Sequence, residues 1–204
     1  MTFYASDDKL ATVGLQGKVD DINRNAVQIA RKVAAEGDAL VAGNLSLTWA
    51  YEPDDPATHD HVRELFDRQL QDQTDAGGVD FWIGETFSYL GEALLFVERA
   101  KRTGLPVMVT MCFEQVEPRS YEGDTPAEVA TRLADAGAQE LPMELRERVG
   151  VLDHDLGCER AGLDVAALLH LQEIAPVAEH RAFGQPFQDP LRHRGFPSVS
   201  VRAV

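Results

Sequence analysis

A glutamate directly follows one of the most apolar segments of the sequence. Residues 79–83 lead through Gly84 to Glu85 and Thr86. A carboxylate at the end of a buried strand could bind a substrate ammonium group or act as a general base. It could equally cap a following helix, whose first turn favours negative charge. The residue types alone leave both interpretations open for Glu85.

Other polar side chains end apolar segments in the same way. They are Asn44, Ser46 and Cys112. In a barrel of parallel strands the chemistry lies at the carboxyl ends of the strands, so these residues and Glu85 are candidates for one common site. For Cys112 the favoured role is that of a buried structural cysteine.

Two short segments contain residue types that bind metals. Cys158 follows His154 and two aspartates within residues 153–158, and His59 and His61 stand among acidic residues. One local cluster does not make a zinc site without ligands from elsewhere in the chain, so we interpret the first segment as a solvated acidic turn. The second segment is typical of an exposed helix start. We therefore assign no catalytic residue and no metal ligand.

These candidates must be positioned by an alternation of helices and short apolar strands. Helical spacing of apolar residues alternates with compact apolar runs bounded by glycine. The pattern predicts helices over residues 20–36, 58–76 and 89–102 and from Thr125-Pro126 to Gly137, and strands over residues 39–42, 79–83 and 106–111.

The predicted strands are nearly continuous in apolar residues, which indicates a parallel sheet covered on both faces. Two architectures fit this pattern, the closed eight-unit barrel and the open dinucleotide-binding sheet. Residues 41–45 end the first predicted strand without the spaced glycines that let a backbone approach a pyrophosphate. The fold class favoured is therefore α/β with a parallel (β/α)8 TIM-barrel type of sheet.

Composition and charge restrict the function classes. The 204 residues carry 19 Lys and Arg against 34 Asp and Glu, a net charge of -15. Such a chain repels a phosphate backbone, which excludes nucleic acid as a partner. Two cysteines make no disulfide framework, and the sequence has no apolar leader and no membrane span. The expected location is the cytoplasm.

Several segments, in order, resemble the homocysteine S-methyltransferase family, in particular its betaine–homocysteine methyltransferases. They are TFYASDDKL (2–10), IARKVAAEGDALVAG (29–43), GVDFWIGE (78–85), GLPVMVTMC (104–112) and RLADAGA (132–138). The resemblance implies a barrel that transfers a methyl group to the thiolate of homocysteine, giving methionine, with zinc activating the thiol. Glu85 matches the glutamate that holds the homocysteine amino group. Phe3 and Tyr4 match an aromatic pair lining the substrate pocket, and Thr86 is grouped with them as substrate-binding.

The sequence also departs from the family pattern. The family's first strand with its Asp-Gly-Gly loop, its Gly-Val-Asn-Cys motif and its late cysteine pair are not found. We therefore predict an incomplete barrel domain over residues 1–138, containing middle βα units only, and a divergent segment over residues 139–204. In that segment residues 183–194 are typical of a loop and residues 198–201 of one short strand. Zinc is expected in the family and expected to be absent from this chain.

The resulting functional expectation is a homocysteine S-methyltransferase-type protein in a truncated form without the zinc ligands. The alternative is an inactive fragment or pseudo-enzyme that retains part of the substrate pocket. A small-molecule binding module of unrelated α/β type is a third class. Expected partners are homocysteine and a methyl donor such as betaine. Neither nucleic acid nor a membrane is an expected partner, and the sequence leaves open whether the chain forms a homo-oligomer. Open sheet edges predict marginal stability of the isolated chain.

Overall fold

Three parallel strands form the sheet on which the candidate residues stand. A computed structural model describes residues 2–114, 117–138 and 198–200. The strands are β1 (Ala42–Ser46), β2 (Phe81–Phe87) and β3 (Val107–Glu114), in the order β1-β2-β3. Ala42 lies opposite Phe81, and Trp82 lies opposite Val107. The short strand β4 (Ser198–Ser200) pairs antiparallel with β3, which agrees with the strand predicted over residues 198–201.

Helices connect and cover the strands. They are α1 (Asp7–Ala11), α2 (Val19–Ala34), α3 (Pro56–Asp75), α4 (Leu90–Ala100) and α5 (Pro126–Ala136), with 3₁₀ turns at Gln16–Lys18 and Lys101–Thr103. Local chemistry fixes the starts of α3 and α5. Thr125 and Glu128 form a reciprocal capping box at α5. Asp55 accepts a hydrogen bond from the Ala57 amide at the start of α3, 3.0 Å away.

The main core lies between the helices and one face of the sheet. Its largest fully buried side chains include Phe66, Trp82, Phe87 and Phe96. A separate small cluster contains Phe81, Ile83 and Met108. Since successive side chains of a strand point to opposite faces, Phe81 and Ile83 lie on the face opposite Trp82. The sheet is therefore buried on both faces at β2, and the predicted α/β class with a parallel sheet is confirmed.

The strands lie further along the chain than the apolar runs predict. The predicted strand over residues 39–42 is observed as Ala42–Ser46, and the one over 79–83 as Phe81–Phe87. The prediction fails at the boundaries because each strand continues into polar residues that the apolar pattern excludes. As a result Asn44, Ser46 and Glu85 lie within strands, not after them.

The helix predictions are close to the observed spans. The helix predicted over residues 58–76 begins two residues earlier, at Pro56, and the one over 89–102 is α4 followed by a 3₁₀ turn. Helix α1 has five residues, too few for a periodic pattern, and was not predicted. In the described part of the chain, no helix is long and apolar enough to cross a membrane.

Candidate functional site

The carboxyl end of β2 is irregular at the predicted site. Ser46 of β1 lies opposite Glu85, but the pairing of β2 with β3 shifts register between Gly84 and Phe87. Thr86 adopts a positive φ of 60°, and it is the one non-glycine residue in the described ranges that does so. Bulges of this kind re-aim side chains and concentrate next to functional sites. This irregularity sets where Glu85 and Thr86 point.

Glu85 is fixed by a buried amide of the neighbouring strand. Its carboxylate accepts a hydrogen bond from Asn44 Nδ2 at 2.8 Å. Asn44 is in turn held by Gln73 of α3, which accepts from the Asn44 amide and donates to its carbonyl, both at 3.1 Å. Helix α4 begins at Leu90 with Tyr89 as its N-cap residue. The helix-cap interpretation of Glu85 is therefore wrong, because the carboxylate is bound across the sheet.

Thr86 has both a strained backbone and a buried hydroxyl. Its amide donates to Thr110 Oγ1 of β3 at 2.9 Å. Its own Oγ1 is buried, and among the described residues it has no hydrogen-bond partner. A positive φ costs a β-branched residue on the order of 1–3 kcal/mol, which the surrounding hydrogen bonds must offset. The residue after Glu85 thus carries a buried hydroxyl that lacks a hydrogen-bond partner in the described part of the chain.

The N-terminal segment crosses the end of β1 beside these residues. Thr2 Oγ1 donates to the Asn44 carbonyl at 2.7 Å, and Ser46 Oγ donates to the Phe3 carbonyl. Asn44 therefore contacts both Glu85 and this segment. The same end of β1 and β2 therefore carries the residues that were predicted from the sequence, which are Glu85, Thr86, Phe3 and Tyr4.

Phe3 and Tyr4 form an aromatic cluster with a third ring, Trp49. The ring centroids are 5.1 Å apart for Phe3 and Tyr4 and 6.2 Å apart for Tyr4 and Trp49. Tyr4 is 60% exposed and Trp49 is 44% exposed. Exposed large aromatics held together in this way offer their surfaces to a ligand. Sequence reasoning missed Trp49, which follows β1 in the loop leading to α3; its position just past a strand end was the available signal.

A buried lysine lies against the aromatic cluster. Lys9 Nζ is 5.0 Å from the ring centroids of Phe3 and Tyr4 and 5.9 Å from that of Trp49. It donates to Ser46 Oγ at 2.8 Å and to the Phe3 carbonyl at 3.2 Å. Burial lowers the pKa of Lys9 to about 8, and the charges of Asp8 and Glu92 partly oppose this. Sequence reasoning missed Lys9 as well, because a lysine in a short charged segment is typical of a surface.

Two carboxylates hold the loop that carries Trp49. Glu92, in the first turn of α4, accepts from the Thr48 amide at 2.5 Å and from Thr48 Oγ1 at 2.7 Å. Asp8 accepts from the Trp49 amide at 2.7 Å. Burial raises the pKa of Glu92 to about 7 against the opposing effect of the Thr48 hydrogen bonds. Glu92 was not predicted, and its sequence neighbourhood resembles any amphipathic helix.

The described ranges do not bring together three His, Cys, Asp or Glu side chains that could hold a metal ion. Cys112 is half-buried on β3. His59 stacks on Tyr51 with centroids 4.9 Å apart, and His61 lies 3.9 Å from Glu64, both on the first turns of α3. The interpretation of His59 and His61 as part of a helix start is confirmed. Cys158 lies outside the described residues. The groups described do not fit a zinc site, and we derive no step through zinc.

Comparison with known proteins identifies the family of the chain. The family model for homocysteine S-methyltransferase matches residues 1–147. The chain belongs to the homocysteine S-methyltransferase family.

Individual relatives extend this result. A betaine–homocysteine S-methyltransferase 1 of Bos taurus is 38% identical over 187 residues, covering 88% of this chain and 44% of the relative. That of Xenopus tropicalis is 44% identical over 142 residues, covering 67% of this chain and 34% of the relative. An S-methylmethionine–homocysteine S-methyltransferase of Pongo abelii is 38% identical over 185 residues, covering 88% and 47%. The chain thus spans about a third to a half of the length of these relatives.

Proposed function

We propose that this chain binds homocysteine through Glu85 and is a homocysteine S-methyltransferase-type protein. The observation that carries the proposal is the Glu85 carboxylate, half-buried and held by Asn44 at 2.8 Å. A carboxylate fixed in a partly buried site is a strong partner for a substrate ammonium group, because both charge and hydrogen-bond geometry favour the contact. Thr86, the next residue of β2, is the second substrate-binding residue proposed; its Oγ1 is buried without a hydrogen-bond partner among the described residues, so a ligand would have to displace the cover of this hydroxyl to reach it.

The aromatic cluster is proposed to bind the methyl donor. Phe3, Tyr4 and Trp49 offer ring surfaces, and aromatic faces attract cationic ligands. The relatives are named for betaine and S-methylmethionine, a quaternary ammonium and a sulfonium compound. Both carry the transferable methyl group on a cationic atom, so either suits this cluster by its chemistry.

The rest of the proposal concerns the setting of the site. We propose that residues 1–138 are part of a (β/α)8 barrel and that residues 139–204 diverge from it. Zinc belongs to the family's chemistry, and a zinc-free form of this chain remains our prediction. Its location is proposed to be the cytoplasm. The competing proposal, an inactive fragment or pseudo-enzyme that retains part of the pocket, keeps homocysteine binding without turnover.

The deciding experiment combines zinc content with turnover. The purified full chain is analysed for zinc and assayed for methionine formation from homocysteine, with betaine and with S-methylmethionine as donors. About one zinc per chain, with activity lost to a chelator, would establish an enzyme and contradict the zinc-free form. Homocysteine binding without zinc and without methionine would support the inactive alternative. Absence of homocysteine binding would contradict both.

The role of Glu85 is tested by Glu85→Ala. We expect homocysteine binding, measured by calorimetry, to weaken at least about tenfold, since a charge-assisted hydrogen bond is lost. Glu64→Ala is the matched control, because the Glu64 side chain is 81% exposed on α3. Circular dichroism of both variants checks that the helices are intact. Unchanged affinity in a folded Glu85→Ala chain would contradict the assignment.

A further inference from the structure

The aromatic cluster already contains a cation that belongs to the chain. Lys9 is 3% exposed, and its ammonium lies within 6 Å of three ring centroids. That is the separation at which a ligand cation would bind the same rings. A second cation at this cluster would therefore lie close to the Lys9 charge.

The rings do not depend on Lys9 alone for their positions. The Phe3 carbonyl also accepts a hydrogen bond from Ser46, and the Trp49 amide donates to Asp8 at 2.7 Å. Thr2 ties the same segment to β1 through the Asn44 carbonyl at 2.7 Å. The backbone that carries the cluster thus remains anchored when the Lys9 charge is removed.

Resting on the proposed function, we propose that Lys9 is a specificity-determining residue of the aromatic cluster. Its charged ammonium weakens the binding of a cationic ligand to the rings, and the neutral amine does not oppose it. Like charges in a partly buried site repel with little screening. The ligand class controlled in this way is an onium compound, a quaternary ammonium or a sulfonium. A neutral ligand of the same shape is indifferent to the state of Lys9.

The surroundings of Lys9 allow this change of charge near neutral pH. Burial brings its pKa to about 8, so the amine and the ammonium are both populated close to that pH. The charged groups that face it are Asp8 on its own helix and Glu92 on α4. Tyr4 contributes the titratable group of the N-terminal segment, and Ser46 and Trp49 contribute neutral ones.

The test measures binding of simple probes to the full chain by ligand-observed NMR, independently of turnover. The cationic probe is choline, and the neutral probe is 3,3-dimethylbutan-1-ol, its carbon isostere. Lys9→Met keeps the aliphatic stem without the charge. At pH 7 we expect Lys9→Met to bind choline about three to ten times more tightly than the unaltered chain. By pH 9.5 the two chains should bind it equally, and the neutral probe should not distinguish them at either pH.

The unaltered chain and Lys9→Met are compared at the same pH, so that a change in ionisation caused by pH itself cannot produce the expected difference in binding. The Lys9 charge lowers the pKa of Glu92, so its removal leaves Glu92 less ionised and opposes the expected gain. Lys18→Met is the matched control, since the Lys18 side chain is 60% exposed and pairs with Asp21. It should bind choline as the unaltered chain does.

A second variant guards against a loss of packing. Lys9→Gln retains an N–H donor for Ser46 or the Phe3 carbonyl and should show the same gain for choline. The proposal is overturned if neither Lys9 variant binds choline more tightly at pH 7, or if the gain is equal for the neutral probe. Homocysteine binding through Glu85 is measured separately, so failure here leaves the proposed function standing.

Discussion

Glu92 is a residue whose environment departs far from what its type predicts. It is a fully buried carboxylate, with one oxygen bonded to Thr48 and the other, Oε2, without a hydrogen-bond partner among the described residues. Burial of this kind favours the neutral acid, and it raises the pKa from 4.5 to about 7. The folded chain therefore binds more protons than the unfolded chain between these two pH values.

Ionisation of Glu92 in the folded chain therefore lowers the free energy of unfolding, and Glu92→Gln removes this effect. Because the folded pKa is raised, stability from this group is present below pH 4.5 and is lost as pH rises through about 7. The glutamine can still accept from Thr48. We expect Glu92→Gln to raise the free energy of unfolding by about 2–3 kcal/mol at pH 8 and by little at pH 4.5. Urea titrations at both pH values measure the difference.

Glu64→Gln is the control for that prediction, because its side chain is exposed on α3. Glu64→Gln should leave unchanged the difference between the free energies of unfolding at pH 4.5 and at pH 8. An equal effect of Glu92→Gln at pH 4.5 and pH 8 would contradict the argument, since it would mean that ionisation of Glu92 costs little.

At the residue scale the sequence predicted part of the site. Glu85 follows an apolar run, and that position left a substrate-binding carboxylate and a helix cap equally open; the family resemblance favoured the first before its contact with Asn44 was known. Lys9 and Glu92 gave no such signal, because charged residues in helices are usually exposed. Their burial depends on contacts with Thr48, Ser46 and Trp49, all distant in sequence, and no local pattern encodes such contacts.

At the scale of elements, a glycine of β1 leaves room for the Trp82 ring of β2. A Cβ on Gly43 would lie 2.2 Å from the Trp82 ring and 2.9 Å from Val79. The Trp82 indole is fully buried, and its N–H donates to Thr103 Oγ1 at 2.8 Å. The ring therefore has no free direction in which to move.

Gly43→Ala is accordingly expected to destabilise the chain. Overpacking a rigid core costs about 1–3 kcal/mol, which a urea titration detects as a lower midpoint. Gly17→Ala is the matched control, because a Cβ at Gly17 meets nothing within 4 Å. If the two variants had equal midpoints, the core around Trp82 would be looser than its contacts indicate.

Element order and the bounds of α5 were predictable from the sequence, and the strand boundaries were not. The capping residues Thr125 and Gly137 located α5 in the sequence, and they bound it in the structure. For β1 the apolar run ended at Ala42, where the strand actually begins. Long-range pairing with β2, not local hydrophobicity, decides which residues form the strand.

At the scale of the whole molecule, helix α2 carries an exposed apolar pair. Ile29 is 54% exposed and Val33 is 60% exposed, four residues apart on one face of the helix. Buried Val27 lies on the face that packs inward. Contiguous exposed apolar surface favours self-association and binding of apolar dyes.

We therefore expect the isolated chain to associate and to bind anilinonaphthalene sulfonate, and the double variant Ile29→Lys, Val33→Lys to do both less. Light scattering and dye fluorescence measure the change. The double variant Asn25→Lys, Gln28→Lys is the control, because it adds the same charge on exposed polar positions of α2. If the unaltered chain were a monomer that melts cooperatively and reversibly, the expectation of marginal stability would be contradicted.

The two tryptophans of the chain lie in opposite surroundings. Trp82 is sealed in the core against Gly43, and Trp49 stands in the aromatic cluster, partly in contact with water. Their fluorescence emission maxima should differ, because the emission of the enclosed indole is blue-shifted relative to that of the hydrated one. The protein thus carries two intrinsic optical reporters, and with Trp49→Phe as a reference its fluorescence can separate melting of the core from events at the site without any added label.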